Sequence, residues 1–122
     1  MVLVDTSVWV EHFRGRVSRF QELLDRGDVM AHPFIIGELA CGQLANRHEI
    51  LELLQELPQA ESAAHGEVLQ LIDRYKLMGC GLGYVDVHLL ASALLSSCRI
   101  WTRDSGLIKA ASRLGLIYPE PR

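Results

Sequence analysis

Residues 2–13 read VLVDTSVWVEHF, and the fifth residue of the chain decides how they fold. Val2, Leu3 and Val4 make a short apolar run suited to a buried strand, yet the run stops on Asp5. A helical stretch then begins near Thr6 or Ser7, so the segment reads as the first half of a βα unit. Asp5 has two uses at such a junction. It can cap the helix, which stabilises by about 1 kcal/mol. It can also stand at the carboxyl end of a strand, where open parallel sheets place their binding crevices.

The rest of the chain keeps the same rhythm. A second helix is expected from about Val17 to Arg26, a short extended VMAH segment at 29–32, and, after Pro33, a helix from Phe34 to about Ala45. HEILELLQEL at 48–57 carries a helical apolar period at Ile50, Leu53, Leu54 and Leu57, and Pro58 ends it. Glu61-Ser62 opens an amphipathic helix bearing Val68, Leu69, Leu71, Ile72 and Tyr75. Gly79, Gly81 and Gly83 then punctuate the chain before a long helix from about Tyr84 to Ser97. RIWT at 99–102 is strand-like, SGLIKAASRLG at 105–115 is a closing helix, and LIY at 116–118 is a last short strand before Pro119. Such alternation predicts an α/β fold, with a short parallel sheet of four or five strands, helices on both faces and six or seven helices in all.

The totals fit a single domain over residues 1–122. The chain is 49% hydrophobic and 22% charged, a globular profile that excludes disordered and fibrous classes. Met1 to Val10 is interrupted by Asp5 and lacks a basic start, and no apolar run approaches a membrane span, so a cytoplasmic protein is expected. Cys41, Cys80 and Cys98 are odd in number and form no C-x-x-C, which argues for reduced thiols rather than disulfides or zinc. The net charge of −3 does not exclude a polyanionic partner. If four of the 15 acids gather in one site, 12 basic residues face the 11 that remain.

Four acids stand out. Asp5 and Asp104 follow strands and precede helices, where capping and a crevice role are both open. Glu38 has Phe34, Ile35, Cys41 and Gly42 as its helical neighbours, and Asp86 has Gly83, Leu89, Leu90 and Ala93, so both are expected on apolar helix faces. If these carboxylates converge, two charges about 4 Å apart repel by about 4 kcal/mol at an effective dielectric near 20, and the cluster must protonate in part or bind cations. Oxygen-only ligands select hard ions, so Mg²⁺ or Mn²⁺ is the expectation. Such ions can activate water and stabilise a leaving oxygen in phosphodiester hydrolysis. Thr6, Ser7, Thr102 and Ser105 flank the acids and could orient them. The five histidines show no ligand spacing, and His88, two positions from Asp86, points to another helix face.

With those residues in place, the chain resembles the PIN-domain ribonuclease toxins of the VapC type, the toxin half of type II toxin–antitoxin pairs. The likeness runs over nearly all of the sequence through VDTSVWVEHFRG, IIGELACG, GYVDVHLLASAL and IWTRDSGL. It implies a PIN-like three-layer sandwich in which Asp5, Glu38, Asp86 and Asp104 form the acidic pocket. Asp5 and Asp86 would be the chief metal ligands, with Glu38 and Asp104 completing the site and Thr6 and Thr102 supporting it. It further implies an RNA substrate cut endonucleolytically, a cognate antitoxin that blocks the pocket, and a homodimer. Arg14, Arg16 and Arg103 are candidates for RNA contact. Trp9, Phe13, Phe20, Leu23 and Leu24 could supply a groove for an antitoxin helix, or could simply be core. Two competing readings are a PIN-like module that binds RNA or protein without cleavage and an aspartyl-phosphate phosphotransfer domain. The latter lacks the adjacent acidic pair it needs in the first loop.

Overall fold

A computed structural model describes residues 1–120. Its elements, in chain order, are β1 (Val2–Val4), α1 (Thr6–Gly15), α2 (Ser18–Asp25), β2 (Val29–Met30), α3 (Pro33–Cys41), α4 (Arg47–Glu56), α5 (His65–Tyr75), α6 (Tyr84–Ser96), β3 (Arg99–Trp101) and α7 (Ser105–Arg113). The strand that opens the sequence is the centre of the sheet. β2 and β3 flank it in the order β2-β1-β3, and both pair with it in parallel, with Val4 opposite Trp101. Successive strand residues point to opposite faces, and Val2, Leu3 and Val4 are all buried, so helices cover both sides of the sheet.

The expectation of four or five strands is corrected to three. The two missing strands survive as single bridges, Ala31 with Gln59 at one edge and Ile100 with Ile117 at the other. At the first edge, Ala31 donates to the Pro58 carbonyl and accepts from the Ala60 N–H, each at 2.8 Å. At the second, Ile100 donates to Leu116 at 2.7 Å and accepts from Tyr118 at 2.8 Å. Pro58 and Pro119 carry no N–H, so neither segment can go on pairing as a strand.

The helix beginning at Glu61-Ser62 is also corrected. Residues 61–64 are not helical, and α5 starts only at His65, where Glu67 Oε1 accepts from the Ala64 N–H at 2.8 Å. α3 ends at Cys41, short of the expected Ala45. Trp9 meets Phe20 edge-on with ring centres 4.5 Å apart, and Phe20 meets Trp101 at 5.9 Å, so one aromatic column fixes α1 and α2 to β3.

His32 joins α3 to α6. Its Nδ1 accepts from the Phe34 N–H at 3.0 Å, which puts the ring proton on Nε2, 2.9 Å from the Ser92 hydroxyl. The ring is 1% exposed, and burial, followed by the charge of His88, lowers its pKa from 6.5 to about 4. Between those values the unfolded chain binds a proton that the folded ring does not. Stability is therefore complete above about pH 6.5 and falls as pH drops toward 4, by as much as about 3 kcal/mol from this group. Urea unfolding across that window should show the decline, and His32→Asn, which keeps an acceptor for the Phe34 N–H, should make it shallower.

Candidate active site

β1 delivers Asp5 to the carboxyl end of the central strand with its backbone fully engaged. Its N–H donates to the Trp101 carbonyl at 2.9 Å, and its own carbonyl accepts from Val8 at 3.0 Å, beginning α1. The side chain takes no part in capping that helix. Instead Oδ2 accepts from the Thr102 hydroxyl at 2.8 Å and the Ser7 hydroxyl at 3.0 Å. Each of those oxygens accepts a backbone N–H in turn, Ser7 from Arg103 and Thr102 from Asp104, both at 3.0 Å. The hydroxyl protons are thereby aimed at Asp5, and the carboxylate is locked although it is only 8% exposed.

Asp104 caps α7, for its Oδ2 accepts from the Leu107 N–H at 2.9 Å. Asp86 sits in the first turn of α6, where its Oδ2 accepts from the Gly83 N–H at 3.0 Å. Burial pushes the Asp86 carboxyl up, the Gly83 hydrogen bond opposes this, and the negative charges of Asp104 and Asp5 push it further up. The structure thus brings Asp5, Asp86 and Asp104 into one another's field. Glu38 stands apart from that trio. The apolar face expected for it is corrected: Glu38 is exposed, and it reaches the site through Thr6, whose hydroxyl donates to Oε1 at 2.8 Å.

One rule covers all four acids. Each uses a single oxygen to accept hydrogen bonds from the protein, and among the described residues the other oxygen has no protein donor. A set of anchored carboxylates, each with one oxygen free, fits a hard divalent cation completed by water and substrate oxygens. Among the described residues no three acidic, histidine or cysteine side chains stand close enough to enclose an ion by themselves. Ser7 is the anchor that the sequence ranks no higher than its neighbours. Its only signal is a hydroxyl two residues beyond the aspartate.

Beside Glu38 and Thr6 lies a cavity of about 650 Å³ walled by Val10, Phe13, Leu39 and Ile50, with Arg14 at its rim. Of the two readings open for the aromatic and leucine positions of α1 and α2, groove or core, most take the second. Trp9, Phe20 and Leu23 are core, Leu24 is half-buried, and of the five only Phe13 lines the cavity. Arg16 is exposed in a left-handed turn with φ 30°. Arg103 is engaged: its Nε donates to Glu11 Oε2 at 2.7 Å, its Nη1 pairs with Glu120, and its guanidinium lies 5.9 Å from the Trp101 ring centre. His88 is buried and meets the Phe34 and Tyr84 rings edge-on.

The PIN domain model matches residues 2–113. Over 121 residues, covering 98% of each chain, the protein is 46% identical to Ribonuclease VapC32 of Mycobacterium tuberculosis, in strains CDC 1551 / Oshkosh and ATCC 25618 / H37Rv. Two solved structures share the fold. A chain of FitAB bound to an IR36 DNA fragment superposes with a TM-score of 0.63 at 21% identity, covering 92% of this chain and 91% of that one. PAE2754 from Pyrobaculum aerophilum gives 0.58 at 17%, covering 93% and 88%. A domain matched from the first strand to the last helix, and a relative of equal length sharing nearly half its residues, place the protein in the PIN-domain family, among the VapC-type ribonuclease toxins.

Proposed function

We propose that the chain is the toxin of a type II toxin–antitoxin pair, an endoribonuclease that hydrolyses RNA phosphodiester bonds with Mg²⁺ or Mn²⁺ at Asp5, Glu38, Asp86 and Asp104. The observation that carries this reading is the shared arrangement of the four carboxylates, each anchored through one oxygen with the other free. The ribonuclease name of the 46% identical relative supports it. Asp5 and Asp86 would be the chief ligands of the cation, and Glu38 and Asp104 would complete the site directly or through water. When bound, such an ion lowers the pKa of a water and offsets charge on the scissile phosphate. Ser7 and Thr102 fix the Asp5 carboxylate, and Thr6 fixes that of Glu38, so that the free oxygens are set before substrate arrives.

The same reading assigns the partners and the place. The cavity beside Glu38 takes an apolar segment of the antitoxin, and occupancy there closes the acidic site. Arg14 and Arg16 approach RNA from that side, and Arg103 joins them on release from Glu11 and Glu120. Exposed Leu69, Leu94 and Leu95 on α5 and α6 support pairing of two copies. No helix among the described residues is long and apolar enough to cross a membrane, and the proposed substrate puts the protein, as a single domain, in the cytoplasm. A non-cleaving RNA- or protein-binding module is the competing reading. It is favoured by the absence, among the described residues, of three acids close enough to enclose an ion unaided.

Purified protein should cut single-stranded RNA with Mg²⁺ or Mn²⁺, and Asp5→Asn or Asp86→Asn should remove both cutting and growth inhibition. A variant with full activity would sink the assignment. Ser7→Ala combined with Thr102→Val should weaken Mn²⁺ binding by roughly 10- to 100-fold in calorimetry while the chain stays folded. In metal-free protein the Asp86 carboxyl should titrate above the ordinary 3.8, as followed by carboxyl-carbon NMR. Its charge is lost as pH falls through that raised pKa, so metal binding should weaken at a higher pH than an unperturbed aspartate would dictate. Asp104→Asn removes one repelling charge and should lower the midpoint.

A further inference from the structure

A second charged region lies at the far end of α7. Arg74, Lys76 and Arg113 line a cavity of about 490 Å³ together with Tyr75 and Leu114. All three basic side chains belong to exposed residues, and Lys109, one turn before Arg113 on α7, is exposed as well. The ion pairs of the described residues involve Arg19, Arg26, His48 and Arg103, and none of these four cations. The carbonyl ends of α5 and α7 meet here, and free carbonyls would repel an anion. Arg113 counters this by donating to the Tyr75 carbonyl, which also ties the two helix ends together.

α7 runs from the acidic site to this region, with Asp104 at its start and Arg113 at its end. At Gly106, in the first turn of α7, a Cβ would stand 3.4 Å from Asp104 Oδ2, 3.5 Å from the Gly81 carbonyl and 3.8 Å from that of Cys80. The loop at residues 80–81, a few residues beyond Lys76, therefore lies against the start of α7 beside Asp104. From there the helix rises about 1.5 Å per residue, so its nine residues bring Arg113 roughly 13 Å from the acids. A single strand of RNA covers that distance in a few nucleotides.

We propose that Arg74, Lys76 and Arg113, with Lys109 on the way, form a subsite for the RNA backbone that takes phosphates flanking the scissile bond. The assignment rests on the nuclease reading for its substrate and deepens it. An acidic centre repels a polyanion, and the subsite supplies the attraction that the centre lacks, by releasing counterions. Sugars and phosphates are contacted rather than bases, so the subsite adds affinity without choosing sequence.

The test uses the full chain with divalent ions chelated, so that nothing is cut, and follows fluorescence anisotropy of labelled polyuridylate and of a uridine trinucleotide. Arg74→Gln with Lys76→Asn is the variant; asparagine suits the left-handed backbone at position 76, where φ is 52°. Removal of two phosphate contacts should weaken polyuridylate binding by about tenfold at low salt and reduce the slope of log affinity against log salt by about 1.4, with trinucleotide binding unchanged. A slope change of about half that size, about 0.7, in the separate variant Lys109→Gln supports the track. Unchanged affinity and slope overturn it. Equal loss for both oligomers overturns it too, and so does loss of polyglutamate binding in place of polyuridylate, which would assign the pocket to an acidic peptide. With Mg²⁺ restored the two readings separate. A variant that cuts the trinucleotide normally and has lost no polyuridylate affinity refutes the subsite and leaves the nuclease. A wild type that shows the charge-dependent slope yet never cuts refutes the nuclease and leaves the subsite.

Discussion

The hydrogen bonds at Asp5 Oδ2 are the constraint on which the site depends. They hold because three separate features of the fold agree. Parallel pairing of β1 with β3 sets Val4 opposite Trp101. The next residue of each strand is then Asp5 or Thr102, which brings carboxylate and hydroxyl within 2.8 Å. The turn beyond Thr102 offers its N–H groups to the two hydroxyl oxygens, so each hydroxyl has one direction in which to donate. A slip of one residue in this register would turn every side chain of β1 to the opposite face and separate the pair.

The same closeness that makes the site useful is unfavourable to the fold. Asp86 is pushed up by burial and by the charges of Asp104 and Asp5, so the acids oppose one another in the folded protein. Helix geometry offsets part of this. Asp86 and Asp104 both stand in or just before a first turn, where N–H groups favour negative charge, and each accepts one of those N–H groups. The N–H contact engages one oxygen of each carboxylate and leaves the other without a protein donor among the described residues.

Much of this was legible in the sequence because it follows from local order. The βα rhythm, the strand ends at Asp5 and Asp104 and the first-turn position of Asp86 need only apolar runs and their punctuation. What was not legible depends on residues far apart in the chain. Nothing near Glu38 shows that Thr6, 32 residues away, will hold it on an exposed face. Nothing near Arg103 shows that Glu11 and Glu120 will engage its guanidinium. The aromatic positions of α1 and α2 read equally as groove or core, and the column of Trp9, Phe20 and Trp101 resolves them as core only once β3 has been brought alongside. The two lost strands follow from proline chemistry, which ends pairing after a single bridge on each side.

Those bridges also decide what the sheet presents to any other strand. A sheet with open edges offers a row of unpaired N–H and C=O groups to any other strand, which invites fibrous association. Here each rim is shielded by a segment that pairs once and carries a proline, Pro58 on one side and Pro119 on the other. The three-stranded sheet is thereby sealed against lateral growth by strand pairing.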